Sequence, residues 1–122
     1  MRQPFRVSLR CAIRGLLGAF RDEPNVRREL VIGALVLCLA LVLPLETWKI
    51  IFLIVVVCFV GVVELFNTAL ERILNILKPQ FHEQVRDVKD LMAGAVLLSA
   101  VCAFVVGLML FGPYVSFLIR HV

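Results

Sequence analysis

Between Val62 and Glu71 the chain reads Val62-Val63-Glu64-Leu65-Phe66-Asn67-Thr68-Ala69-Leu70-Glu71, two carboxylates and an amide interrupting an otherwise apolar run. Residues 50–63 carry no charged side chain, so Glu64 ends a stretch that offers it no solvation of its own. Carboxylates at membrane depth are costly and mark candidate functional sites. A carboxylate in apolar surroundings is also a better proton acceptor than one in water, as general-base catalysis requires. Glu64, Asn67, Thr68, Glu71, Asn75 and Lys78 recur at helical spacing and share one face of one helix. A plainer reading gives Glu64 a hydrogen bond that packs two helices, but such a bond needs no polar stripe running on from it.

The composition says what kind of element must hold this stripe. The chain has 122 residues, 61% of them hydrophobic, and a mean hydropathy of +0.99, which excludes an ordinary soluble domain and indicates an integral membrane protein. Uncharged runs extend from Leu30 to Leu45, Ile50 to Val63 and Leu91 to Ile119. The second reaches across a hydrocarbon core of ~30 Å only if its helix continues through Glu64 and Glu71 and stops before Pro79. Phe5, Leu9, Ile13, Leu16 and Phe20 repeat on one narrow helical sector beside a stripe of Arg6, Arg10, Arg14 and Arg21, the pattern of a helix lying in a membrane surface. Those arginines either hold anionic lipid or bind a phosphate group. The expected fold is therefore an all-α membrane protein in one domain, residues 1–122, with an N-terminal amphipathic surface helix at about 5–21 and three transmembrane helices at about 27–45, 47–77 and 89–112.

Basic residues give the orientation. Arg2, Arg6, Arg10, Arg14, Arg21, Arg27 and Arg28 precede the first span, Arg72, Lys78, Arg86 and Lys89 surround the connection between the second and third, and Lys49 and Arg120 fall on the other side. The N-terminus and the 78–90 loop are expected in the cytoplasm. Met1-Arg2-Gln3-Pro4-Phe5-Arg6 has neither a long apolar core nor a cleavage site, so no signal peptide is expected. Counted inward from Lys49, Glu64 lies roughly 22 Å deep and Glu71 about 10 Å beyond it, at headgroup level. One carboxylate can meet a group carried by lipid and the other the metal of a water-soluble anion.

Further charges gather on that side. Asp22-Glu23-Pro24-Asn25 forms a turn before Arg27, Arg28 and Glu29, and the loop supplies Lys78-Pro79-Gln80-Phe81-His82 through Lys89-Asp90. Each charge alone is ordinary solvated surface. Together they suit a phosphate with a divalent cation, since Mg²⁺ takes one or two carboxylates and leaves its other positions to phosphate and water. No G-x-x-x-x-G-K-[ST], G-x-G-x-x-G or H-R-D motif is present, so phosphoryl transfer would need another architecture. The cysteines Cys11, Cys38, Cys58 and Cys102 show no metal-binding spacing.

Glu64-Leu-Phe-Asn67-Thr-Ala-Leu-Glu71, followed by His82 and by Lys89-Asp90-Leu-Met-Ala-Gly-Ala, resembles the prokaryotic diacylglycerol kinase family, small membrane enzymes that include undecaprenol kinases. The resemblance extends from about Ser8 to Pro113. It implies a homotrimer of three transmembrane helices and a surface helix per chain, in the bacterial cytoplasmic (inner) membrane, with active sites shared between subunits on the cytoplasmic side. By resemblance Glu64 is the general base, Glu23 and Glu71 are Mg²⁺ ligands, and Glu23, Asn67, Glu71, Gln80, Phe81, His82, Lys89 and Asp90 bind ATP. Asn25, Val26, Arg27, Arg28, Glu29, Glu64 and Ala93 meet the lipid substrate. The implied reaction moves the γ-phosphate of ATP to the primary hydroxyl of diacylglycerol or undecaprenol, with no nucleic-acid partner. Two positions depart from common family patterns: Cys11 stands where many members carry an aromatic, and Ala93 where some diacylglycerol-specific members carry serine. The wording around Pro79, His82 and Ala93 to Ala95 is closer to the undecaprenol kinase branch. A reading from another class is a small proton-coupled transporter or oligomeric channel using Glu64; the skew of polar residues to one side of the membrane argues against it.

Overall fold

In a computed structural model that describes residues 4–122, the chain forms four helices: α1 (Phe5–Asp22), α2 (Pro24–Val42), α3 (Thr47–Leu77) and α4 (His82–His121). Met1, Arg2 and Gln3 lie outside the described residues, and with them the signal-peptide reading and the place of Arg2 in the charge count. Prolines set the breaks. Glu23 precedes Pro24 and Leu43 precedes Pro44, and both are extended (φ −111°, ψ 108° and φ −78°, ψ 150°), because a following proline ring disfavours the helical region. Pro24 then serves as the first residue of α2, where its missing N–H leaves no bond unmade.

Helix α2 lies about three residues earlier than expected at both ends, 24–42 against 27–45, and α4 differs at both of its ends. The polar segment 78–90, read as a loop, is loop only to Phe81, and α4 starts at His82. Val85 explains this: it is buried, so the first turns of α4 have an apolar residue to dock, and Glu83 suits the positive end of the helix. At the other end α4 runs through Pro113 to His121 instead of stopping at 112. The proline removes one backbone donor, while Tyr114 just beyond it donates its hydroxyl to the carbonyl of Pro44 (3.0 Å) and ties that stretch to the α2–α3 turn. Lys49 lies over the rings of both Trp48 and Tyr114 (5.6 and 5.0 Å to the centroids) and closes this end of the molecule.

Helices α3 and α4 are long and apolar enough to cross a bilayer. Helix α2 is shorter and carries Arg27, Arg28 and Glu29 near its start, so its uncharged part runs only from Leu30 to Val42. The helices pack α1 on α2, α2 on α3 and α3 on α4. The core is small: Ala40, Leu53 and Leu110, one from each of the long helices, with Val36, Leu37, Val106 and Phe111 around them. Most large apolar side chains, among them Leu35, Phe66, Leu98 and Phe104, face outward. That surface suits lipid or other chains, not water.

Gly33 fixes how closely α2 meets α3. A Cβ at this position would stand 2.6 Å from Cγ1 of Val57, a side chain held to essentially one rotamer in a helix. Gly33→Ala is expected to destabilise the fold by about 1–3 kcal/mol in detergent unfolding, and Val57→Ala added to it to restore most of the loss. Undiminished stability of the single variant would contradict this packing.

Candidate functional site

The site begins on α3, which is apolar from Ile50 to Val63 and carries a polar face from Glu64 to Asn75. Glu64 and Thr68, one turn apart, are buried at 5% and 7% exposure and face the neighbouring helices. Asn67 is half-buried beside them, and Glu71 and Asn75 are exposed further along. The stripe therefore descends from a buried carboxylate to an exposed one.

Antiparallel packing sets what meets it. Leu53 and Leu110 share the core, and near the opposite end Lys89 donates to Oδ1 of Asn75 (2.9 Å), so α3 and α4 keep one register along their length. About three turns inward from Leu53 lies Glu64; the same step back along α4 from Leu110 arrives at Ser99, and along α2 from Ala40 at Glu29. All three are turned inward: Ser99 is buried at 4% and Glu29 is half-buried. A polar layer of Glu29, Glu64 and Ser99 thus lies beneath the apolar layer of Ala40, Leu53 and Leu110. The Ser99 hydroxyl donates to the carbonyl of Val96 (2.7 Å), which leaves its oxygen lone pairs as acceptors.

Glu23 arrives from the junction of α1 and α2. It is half-buried, and its Oε1 takes a contact of 3.3 Å from the guanidinium of Arg72, the residue after Glu71. This pair brings the α1–α2 junction to the exposed end of the stripe. Among the described residues no three His, Cys, Asp or Glu side chains converge on a single metal position. Two hard carboxylates at one mouth nevertheless fit a cation that reaches the site already bound to phosphate, because Mg²⁺ in such sites uses only one or two carboxylates.

The other candidates divide into those the fold brings to this mouth and those it does not. Lys89 is half-buried and joined to Asn75, so the start of α4 is fastened to the polar stripe. Gln80, Phe81, His82 and Asp90 are exposed around that start. Asn25 accepts from Arg28 (2.8 Å), and Arg27 donates to the carbonyl of Arg21 (3.0 Å), bracing the turn that holds Glu23. Val26 is buried at 6% and turned into the protein; Ala93 is exposed on α4. Two residues carry no site role in the sequence pattern: Arg72 figures there only as a basic charge, and Ser99 not at all, although its place in an uncharged run at the depth of Glu64 is a usable signal.

The chain matches the sequence profile described as prokaryotic diacylglycerol kinase over residues 10–111. It is 37% identical to a diacylglycerol kinase of Synechocystis sp. over 115 residues, covering 93% of this chain and 66% of that relative. It is 32% identical to an undecaprenol kinase of Bacillus subtilis over 102 residues, covering 82% of this chain and 81% of the relative.

The Asn75–Lys89 contact should behave as a coupled pair. Asn75→Ala and Lys89→Met are each expected to lower unfolding stability by about 0.5–1.5 kcal/mol, and the double variant by little more than one of them. Full additivity in the double-mutant cycle would show that the two side chains do not meet.

Proposed function

We infer the reaction from site and kinship together: the chain belongs to the prokaryotic diacylglycerol kinase family, a family of membrane lipid kinases, and its own reaction is transfer of the γ-phosphoryl group of ATP to the primary hydroxyl of a membrane lipid alcohol. The observation that carries this is the graded stripe of α3, with Glu64 buried at 5% and Glu71 exposed. A lipid hydroxyl and a water-soluble nucleotide have to meet somewhere between those two depths.

In this reading Glu64 takes the proton of the lipid hydroxyl as its oxygen attacks the γ-phosphorus. The bond from that phosphorus to the β-phosphate oxygen breaks, and ADP leaves. Asn67, between Glu64 and Glu71 on the same face, steadies the γ-phosphoryl oxygens. Glu71 and Glu23 would hold Mg²⁺, which when bound neutralises phosphate charge. Lys89 and Asp90, with Gln80, Phe81 and His82, meet the nucleotide at the start of α4. Asn25, Arg27, Arg28 and Glu29 on α2, and Ala93 on α4, border the lipid. Val26, turned inward, supports that border by packing. This is positioning and charge neutralisation, which is what phosphoryl transfer asks of a protein.

The same reading includes three membrane crossings, α2 being the third, in the inner membrane with the mouth on the cytoplasmic side. Arg27, Arg28 and Glu29 then lie at the interface, where long side chains reach the headgroups. It also includes a homotrimer. Support for self-association comes from the exposed flank of the stripe at Glu71 and from the many outward apolar side chains of all four helices.

Two outcomes follow. With γ-labelled ATP and Mg²⁺, the purified protein in bilayers is expected to label diacylglycerol or undecaprenol; no label in either lipid, with proton flux in liposomes, would favour a transporter instead. Glu71→Ala is expected to lose Mg²⁺-dependent labelling while keeping its oligomeric mass, and an unchanged Mg²⁺ dependence would remove Glu71 from the metal site.

A further inference from the structure

Among the described residues, Arg72 makes the one ion pair that joins two separate parts of the mouth. It follows Glu71 directly and lies about 80° of helical turn from Glu64. Arg72 therefore stands beside the polar stripe, on the flank that meets the α1–α2 junction. Its guanidinium contacts Oε1 of Glu23 at 3.3 Å. Glu23 and Glu71 are the two carboxylates of this mouth suited to a cation, so Arg72 adjoins one in sequence and touches the other in space.

The contact has neither the length nor the form of a structural clamp. Charge-assisted N–H···O bonds run at about 2.7–2.9 Å, and an arginine that grips a carboxylate uses both arms of its fork. Arg72 offers Glu23 one nitrogen at 3.3 Å and makes no other side-chain hydrogen bond among the described residues. Its side chain is 57% exposed, so most of its five donors stay open to the water from which a nucleotide would come. The neighbouring cations are engaged elsewhere: Arg21 bonds Asp22, Arg27 the carbonyl of Arg21, Arg28 and Lys89 the amide oxygens of Asn25 and Asn75.

A divalent cation on Glu23 and the Arg72 guanidinium compete for one carboxylate, and the two positive charges repel. A cation that arrives on phosphate brings the anion whose oxygens match the planar fork. We propose that Arg72 is a nucleotide-binding residue, which gives up Glu23 to the metal and takes phosphate oxygens of the nucleotide in its place. This role rests on the lipid-kinase reading of the mouth and deepens it.

The test uses the full chain in phosphatidylcholine nanodiscs without a lipid alcohol, so that nothing is turned over. Mn²⁺ replaces Mg²⁺, its free concentration read by electron paramagnetic resonance, and equilibrium dialysis measures a labelled non-hydrolysable ATP analogue in its Mn²⁺ complex. Arg72→Gln is expected to bind the Mn²⁺–analogue complex about tenfold to a hundredfold more weakly than the wild-type chain. Mn²⁺ alone should bind this variant as well as before, or up to about fivefold more tightly, because a competing cation is gone. Arg72→Lys, which keeps the charge without the fork, should fall between the two for the complex. A mere tether of the Glu23 turn would weaken both affinities together, and that result would overturn the proposal. So would an unchanged affinity of Arg72→Gln for the complex, with the lipid-kinase reading left standing. If the wild-type chain bound neither Mn²⁺ nor the complex, the reading of the mouth would fall and the role of Arg72 with it.

Discussion

A carboxylate at position 64 has to be accommodated by protein, because lipid will not solvate it, and the arrangement of the other helices follows from that constraint. The buried side of α3 carries Glu64 and Thr68 at its polar level, with Leu53 three turns away at the apolar level. The neighbouring helices match both levels: Ala40 and Leu110 meet Leu53, while Glu29 and Ser99 come level with Glu64. Close approach at Gly33 and Val57 holds α2 to this register.

The same constraint separates two kinds of surface. Inside the chain, the polar layer is narrow and its members are buried or half-buried. Outside, apolar side chains cover most of α2–α4, and beyond the arginine stripe of α1 most charged groups collect where α1 joins α2 and where α3 turns into α4. Arg72 to Glu23 and Lys89 to Asn75 are the contacts that join those two regions into one mouth. Both are partly exposed and individually weak. What they contribute is placement, holding the start of α4 and the Glu23 turn beside the exposed end of the stripe.

Much of this was legible in the sequence, for reasons that can be stated residue by residue. The Glu64 to Lys78 spacing fixes a helix face whatever surrounds it, and Pro79 marks where that helix must end. The Phe5 to Phe20 period likewise identifies α1. Less legible were features decided by contacts between elements. Residues 82–90 look like loop until Val85 finds a place to be buried, and Pro113 looks like a stop until Tyr114 anchors the helix beyond it. Ser99 and Arg72 gain their roles only from the antiparallel register and the fold of the Glu23 turn, neither of which a local pattern encodes. The proposed metal pairing of Glu23 with Glu71 rests on family resemblance, since the two residues are far apart in sequence.

The account rests on Glu64 as the group that takes the hydroxyl proton of the lipid, and the most direct measurement is phosphoryl transfer by Glu64→Gln in bilayers at saturating ATP and lipid. The amide keeps the size of the side chain and its capacity to accept a hydrogen bond, but it cannot take the proton. The expected result is a fall in kcat of about 10²–10⁴, with KM for ATP and for lipid little changed. A wild-type kcat in this variant would contradict the account and leave Glu64 a packing residue.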